Sequence, residues 1–330
     1  MSAFWYVVLF ICAAMLFVLF PLPVLAGRIV CFLTFGHKVN QKPRKSGPCS
    51  SDFPDLAEEP FSFFSGGHRL LGHRYTSKCD CEYEGILFVV PGYGYLHQDY
   101  LAEIDYFVKR QYVVFSYEGT GCGSSEGKSL GGYPQFVLDL YAAILHVLVR
   151  DEHRELPVYL FGHSIGAYAA TAVLNFGLSQ IKGVIACSPV NSGTEYAGMV
   201  VKACSCAVTR RFYRTFQNYE KKRFGRAAEF SGISGVNHSE IPIVIAHSRD
   251  DRMVPLICSV YQYKEEAVNP NVRFYLYGDR GHFVFKAKRA GDYLNAGKKE
   301  FDPCIYALNT EFLDMALEEL KKINVQTGKK

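Results

Sequence analysis

The 330-residue chain has no Cys-x-x-Cys pair, although it carries eleven cysteines. Cys12 and Cys31 lie in an apolar N-terminal region, and the nine that remain are an odd number in which the close pairs, Cys79/Cys81 and Cys204/Cys206, are spaced Cys-x-Cys. That pattern argues against a cysteine zinc site and against a complete disulfide framework, so no metal and no cofactor is expected and the thiols read as reduced, as in a cytosolic setting. Charge of one sign is also lacking. The net charge is only +4, from basic and acidic residues that are interspersed, and no nucleic-acid-binding motif is present, so no nucleic-acid partner is expected. There is no internal repeat, and a hydrophobic content of 49% excludes disorder beyond linkers.

Charge is missing altogether from Phe4 to Ala26, a run long enough to cross a bilayer at ~20 residues per span. Val24-Leu25-Ala26 before Gly27 has the small or apolar residues of a cleavage site, but no basic stretch precedes the run, so it reads as an anchor rather than a cleavable signal. Arg28, Lys38, Lys42, Arg44 and Lys45 all follow it, which places the remainder of a single-pass protein on the cytoplasmic side of the membrane. The expected organisation is an anchor over residues 1–36, a linker rich in proline and serine over 37–60, and a globular domain over 61–330.

Within that domain, apolar runs alternate with helical patterns. Strands are expected at 85–90, 112–117, 158–161, 183–187, 243–246 and 274–277, helices near 100–109, 134–150, 167–174 and 309–323, and early antiparallel strands around 68–76. Short connections between alternating elements predict an α/β fold with a mostly parallel, doubly wound sheet. Residues 189–240 contain no core-strand run and read as a small helical cap.

The pattern centres on Val158 to Ala170, where an apolar strand meets Gly162-His163-Ser164-Ile165-Gly166 and a small-residue helix follows. Such a strand, tight turn and helix present a serine hydroxyl at the top of a sheet. A serine nucleophile needs a histidine base, and the histidine needs an orienting carboxylate. In chain order these follow as Asp251, in the loop after strand 243–246 with Asp250 as its near competitor, and His282, after strand 274–277. The oxyanion donors would be the Ile165 N–H and the N–H of Tyr93, in Pro91-Gly92-Tyr93-Gly94.

These motifs, with Gly119-Thr120-Gly121-Cys122-Gly123-Ser124 and Asp251-Arg252-Met253-Val254-Pro255, resemble the α/β-hydrolase superfamily, and within it the monoacylglycerol lipase and serine aminopeptidase (S33)-like branch. The resemblance implies an α/β-hydrolase fold and a catalytic triad of Ser164, Asp251 and His282. That branch usually has His-Gly where this chain has Pro91-Gly92, so the acyl pocket and its entrance are expected to differ.

In the cap, Phe212, Phe216 and Tyr219 share one helical face among Arg210, Arg211, Arg214, Lys221, Lys222, Arg223 and Arg226; this face could rest on an anionic bilayer or pack on the core. The reading that results is a membrane-anchored serine hydrolase acting on carboxylic esters, with monoacylglycerol- or lysophospholipid-like lipids as substrates. An aminopeptidase or amidase acting on small peptides is the alternative, and a catalytically silent scaffold is the rival from another class.

Overall fold

The computed structural model describes residues 10, 12–17, 21–39, 49–199, 206–287 and 307–327. Eight strands form one sheet: β1 (Leu56–Ser65), β2 (His68–Ser77), β3 (Gly85–Val90), β4 (Tyr112–Tyr117), β5 (Val158–His163), β6 (Ile181–Cys187), β7 (Ile243–Ser248) and β8 (Val272–Tyr277). Their order is β1-β2-β4-β3-β5-β6-β7-β8, with β1 and β2 paired antiparallel and all pairs from β4/β3 onward parallel. β3, β4, β5 and β7 are buried along their whole length, as continuous apolar runs covered by helices on both faces must be.

The described helices are α1 (Pro21–Phe35), α2 (Leu101–Val108), α3 (Tyr133–Arg150), α4 (Ile165–Ala172), α5 (Gly193–Gly198), α6 (Cys206–Phe224), α7 (Gly232–Asn237) and α8 (Thr310–Thr327). α3 and α4 cover one face of the sheet around Leu140, Ile144 and Ala167, and α2 and α8 cover the other around Ile104, Phe107, Leu313 and Leu317. α8 lies over β6, where Leu320 packs close against Gly183, and over β7 rather than at the sheet edge.

Two sequence expectations need correction. The chain enters the sheet at Leu56, not Phe61, so the end of the expected linker is strand. β1 is the edge strand, and an edge tolerates Pro60 and an exposed Glu59 that a central strand would not. Nor is 37–60 separate from the domain at its start: Val39 bridges to Cys122, Lys38 Nζ donates to the Ser125 carbonyl at 2.9 Å, and Gly131 N–H donates to the Phe35 carbonyl.

The second correction concerns the N-terminus. Among the described residues no helix is long and apolar enough to cross a membrane. Residues 4–9, 11 and 18–20 of the expected span lie outside the described residues, as do Lys42, Arg44 and Lys45. α1 runs for 15 residues, or ~22 Å, short of a hydrocarbon core of ~30 Å. Pro21 and Pro23 fall in its first turn, where a missing N–H costs nothing, so the helix continues through Ala26 to Phe35.

α1 packs on α6. A Cβ on Gly27 would sit 3.5 Å from Thr215 and 3.6 Å from Phe212. Phe212 and Phe216 are fully buried in the core and the basic residues Arg210, Arg214, Lys221 and Lys222 are exposed, so the aromatic face of the cap helix holds the cap in place and does not face outward. Each buried phenylalanine contributes ~2 kcal/mol of transfer free energy to that docking.

Glu220 on the same helix is buried, and its carboxylate accepts the Tyr133 N–H at the start of α3 at 3.1 Å. Burial pushes its pKa up to about 8, against the Tyr133 N–H, which favours the ionised form. The folded chain therefore keeps a proton that the unfolded chain releases near 4.5, and this contribution to stability is complete below that pH and is lost as pH rises towards 8. Denaturant melts of wild type and Glu220→Gln from about pH 5 to 8 should differ in slope by about 1.4 kcal/mol per pH unit, the variant being the flatter. Equal slopes would show that this proton has no part in cap docking.

Candidate active site

β3 and α4 approach so closely that a Cβ on Gly166 would lie 2.2 Å from the Val90 carbonyl oxygen, and one on Gly162 would lie 2.6 Å from Ala167 Cα. Only glycine fits either position, and the turn between them forces Ser164 to φ 57°, ψ −119°, a conformation an L-residue adopts only under constraint. The constraint comes from both sides. Ser164 N–H donates to the Cys187 carbonyl at 2.9 Å, and its own carbonyl accepts from Tyr168 N–H at 3.0 Å.

Ser164, Ile165, Tyr93 and His282 line one cavity of about 400 Å³. Asp251 lies behind it, with Oδ2 2.8 Å from His282 Nδ1, and its Oδ1 accepts the backbone N–H of Met253 and of Val254, each at 2.9 Å. Burial alone would raise the pKa of this carboxyl, but the His282 hydrogen bond and charge, the Val254 N–H and His247 outweigh it and hold it below the usual carboxylate range. An ionised Asp251 fixes Nδ1 of His282 as the N–H nitrogen and leaves Nε2 as the base nitrogen.

The near competitor Asp250 has a different task. Its Oδ1 accepts from Ser248 Oγ at 2.6 Å and Gly281 N–H at 2.8 Å, and Ser248 Oγ in turn accepts Arg280 N–H at 2.9 Å. Asp250 thus staples the loop that carries His282 to the end of β7, while Asp251 faces the imidazole.

Three residues of this region have roles that sequence reasoning missed. His163 is fully buried, with Nε2 3.2 Å from the His282 carbonyl and Nδ1 2.7 Å from the Tyr100 hydroxyl. A carbonyl can only accept, so Nε2 carries the hydrogen and Nδ1 accepts from Tyr100. The Tyr100 oxygen also accepts Gly92 N–H at 3.0 Å. Burial and the neighbouring His282 keep the His163 pKa far below its ordinary value, so the ring stays neutral. One chain of hydrogen bonds therefore joins the loop of Tyr93, the serine turn and the histidine loop. His247, the third, is buried beside Asp251 at 3.7 Å, its Nε2 held by the Val254 carbonyl and its Nδ1 by Ser259 Oγ, both at 3.0 Å. The only prior signal among them was the place of His163 inside the Gly162–Gly166 motif.

The cavity has an unexpected wall. Leu33, Thr34 and Phe35 at the end of α1 line it, the Tyr93 hydroxyl donates to the Thr34 carbonyl at 2.9 Å, and the Phe35 ring meets Tyr133 edge-on at 5.1 Å. The remaining lining is Tyr95, Tyr133, Tyr196, Val190, Met253 and Val254, with no carboxylate among the described residues. No metal-ligand set occurs at this cavity among the described residues.

Residues 82–229 match the serine aminopeptidase S33 family. That segment contains Tyr93, Ser164 and Ile165 but ends before Asp251 and His282. No curated protein sequence matches the chain. Among solved structures, an esterase from Pyrococcus furiosus is similar, with 18% identity and a TM-score of 0.55 over 75% of this chain and 91% of its own. An acetyl xylan esterase from Paenibacillus sp. R4 has 17% identity and a TM-score of 0.54 over 78% of this chain and 87% of its own. An acylaminoacyl peptidase from Pyrococcus horikoshii has 16% identity and a TM-score of 0.51, this chain covering 38% of its length. The chain thus has the α/β-hydrolase fold and is similar over residues 82–229 to the serine aminopeptidase S33 family.

Proposed function

We propose that the chain hydrolyses carboxylic esters of lipid type, monoacylglycerol- or lysophospholipid-like, through an acyl-enzyme on Ser164. The observation that carries the chemistry is the Asp251–His282 contact of 2.8 Å, with His282 on the wall of the cavity that the strained Ser164 turn enters. Ser164 Oγ attacks the acyl carbonyl while His282 Nε2 takes its proton. The N–H groups of Tyr93 and Ile165 receive the oxyanion. Collapse breaks the acyl C–O bond, and the leaving alcohol takes the proton from His282. Water then repeats the sequence on the acyl-enzyme and releases the carboxylic acid.

Support for a lipid substrate comes from the apolar and aromatic lining and from the surface around the mouth. Leu33 lines the cavity yet is 64% exposed, Met253 does so at 57%, and Phe32, Ile29 and Leu25 of α1 are exposed as well. Phe10, Met15, Leu16 and Phe17 add apolar surface earlier in the chain. We place this face against a membrane, with the catalytic domain on the cytoplasmic side as the charge bias of the sequence suggests. For the aminopeptidase alternative a substrate ammonium needs a carboxylate, and the cavity lining described contains none.

A fluorophosphonate probe should label wild type and not Ser164→Ala, and ester turnover should fall by ~10⁴-fold or more. In a substrate panel, monoacylglycerols in vesicles should be cleaved faster than aminoacyl amides; the reverse order would replace the ester reading with the peptidase one. Tyr100→Phe leaves Gly92 N–H and His163 Nδ1 without their shared partner. It should lower stability by ~2 kcal/mol and reduce kcat more than it changes KM, measured by thermal melts and steady-state kinetics on a soluble ester. An unchanged kcat would show that the oxyanion loop holds its position without that hydroxyl.

A further inference from the structure

Away from the cavity, three donor groups converge where no reaction step uses them. Glu58 on β1, His73 on β2 and His97, just after the Tyr93 loop, each offer one ligand atom, all within 4.8 Å of one another. His73 and His97 are 7% and 1% exposed, and their rings are stacked 3.5 Å apart at 17°. The register explains the meeting: Glu58 pairs with Tyr75 and Pro60 with His73, so Glu58, His73 and Tyr75 share one face of the β1–β2 hairpin, and His97 closes over it.

Hydrogen bonding accounts for only half of this cluster. His73 Nδ1 lies 2.8 Å from Glu58 Oε1, and His97 Nδ1 meets the hydroxyl of fully buried Tyr75. Nε2 of each ring is buried with no hydrogen-bond partner. The atoms that face one another are the two Nδ1 nitrogens and Glu58 Oε1, the nitrogens standing 2.8 Å and 4.0 Å from that oxygen. An ion held by these three atoms takes the place of the hydrogens shared around them and leaves the one hydrogen of each neutral ring on Nε2.

We propose that Glu58, His73 and His97 form a binding site for a divalent transition-metal ion of the zinc type. Two imidazoles and one carboxylate suit zinc and not magnesium or calcium, which take oxygen ligands. In tetrahedral zinc sites ligand atoms stand ~3.4 Å apart. The 4.0 Å between His97 Nδ1 and Glu58 Oε1 is within easy reach of that spacing. An ion here clamps the edge hairpin to the segment four residues beyond Tyr93, so its role is to fix the loop that carries an oxyanion donor, not to act on substrate. It is independent of the ester reading.

The test uses the full chain without an affinity tag, stripped with a chelator and titrated with Zn²⁺, then with Co²⁺ as a spectroscopic substitute. One equivalent should bind and raise the melting temperature by about 5 °C, and the Co²⁺ form should show visible bands without thiolate charge transfer. His97→Gln and His73→Gln should lose the ion and the shift, while Ser164→Ala keeps both. Glu58→Gln, which removes charge but little volume, should weaken binding at least tenfold with the far-UV spectrum unchanged, so a folding defect in the histidine variants does not decide the matter. Failure of the folded wild type to bind Zn²⁺ at micromolar concentration, retention in both histidine variants, or thiolate bands in the Co²⁺ spectrum would each overturn the proposal.

Discussion

The contact on which the site depends is between two stretches of backbone. The end of β3 and the start of α4 come together so tightly that Gly166 has no room for a methyl group against the Val90 and Pro91 carbonyls. Everything near it follows from that contact. It bends the chain sharply at Ser164, brings the serine beside the loop that leaves β3, and sets the Ile165 and Tyr93 backbones on one cavity. A Cβ on Gly92 would stand 3.4 Å from Ser164 Cβ, which measures how near the Tyr93 loop is held to Ser164. Close packing stores the strain at φ 57° because the parallel strands on either side of β5 allow the turn nowhere else to go.

Polar groups buried around this contact do the positioning. His163 and Tyr100 span from the Gly92 amide to the His282 carbonyl, and Ser188 Oγ donates to that same carbonyl at 3.0 Å. Farther in, Lys286 pairs with Glu103 where both are buried, tying the segment after His282 to α2. Burial raises the Glu103 pKa, and the Lys286 charge beside it opposes the rise. Such pairs add little net stability but lose much when one partner is removed, which makes them better suited to fixing geometry than to supplying energy. The loop bearing His282 is thus held at Asp250, at Ser188 and at Lys286, which keeps it beside Asp251.

How much of this was legible in the sequence depended on how local each feature is. The parallel strands were read because apolar runs such as Ile86–Val90 and Val113–Phe115 have no other stable use, and Ser164, Asp251 and His282 because each ends a strand in a recognisable pattern. β1 was cut short because Glu58, Glu59 and Pro60 look like loop, and only its edge position makes them strand. The metal-type cluster was invisible for the same reason. Its members are separated by 15 and 24 residues, in no metal-binding spacing, and a search for zinc through cysteines looks at the wrong residues. Hairpin register and the folding back of the oxyanion loop bring them together, and neither is written in local composition. Asp250 and Asp251 could be separated only by seeing which carboxylate faces the imidazole.

The N-terminal helix carries the same lesson into function. Read as sequence, residues 1–36 were an anchor distinct from the enzyme; in the structure the end of α1 is part of the cavity, fastened by Phe35 between Tyr93 and Tyr133 and by the Tyr93–Thr34 hydrogen bond. The partner residue in that bond is the expected oxyanion donor. A force or a surface that moves α1 therefore acts directly on Tyr93, through a bond of 2.9 Å, and on the cavity mouth through Leu33. The outer side of α1 presents Leu25, Ile29 and Phe32 to solvent, apolar surface that water does not favour. The cavity wall and the exposed apolar face are thus the two sides of one helix, and whatever moves that helix moves the Tyr93 loop with it.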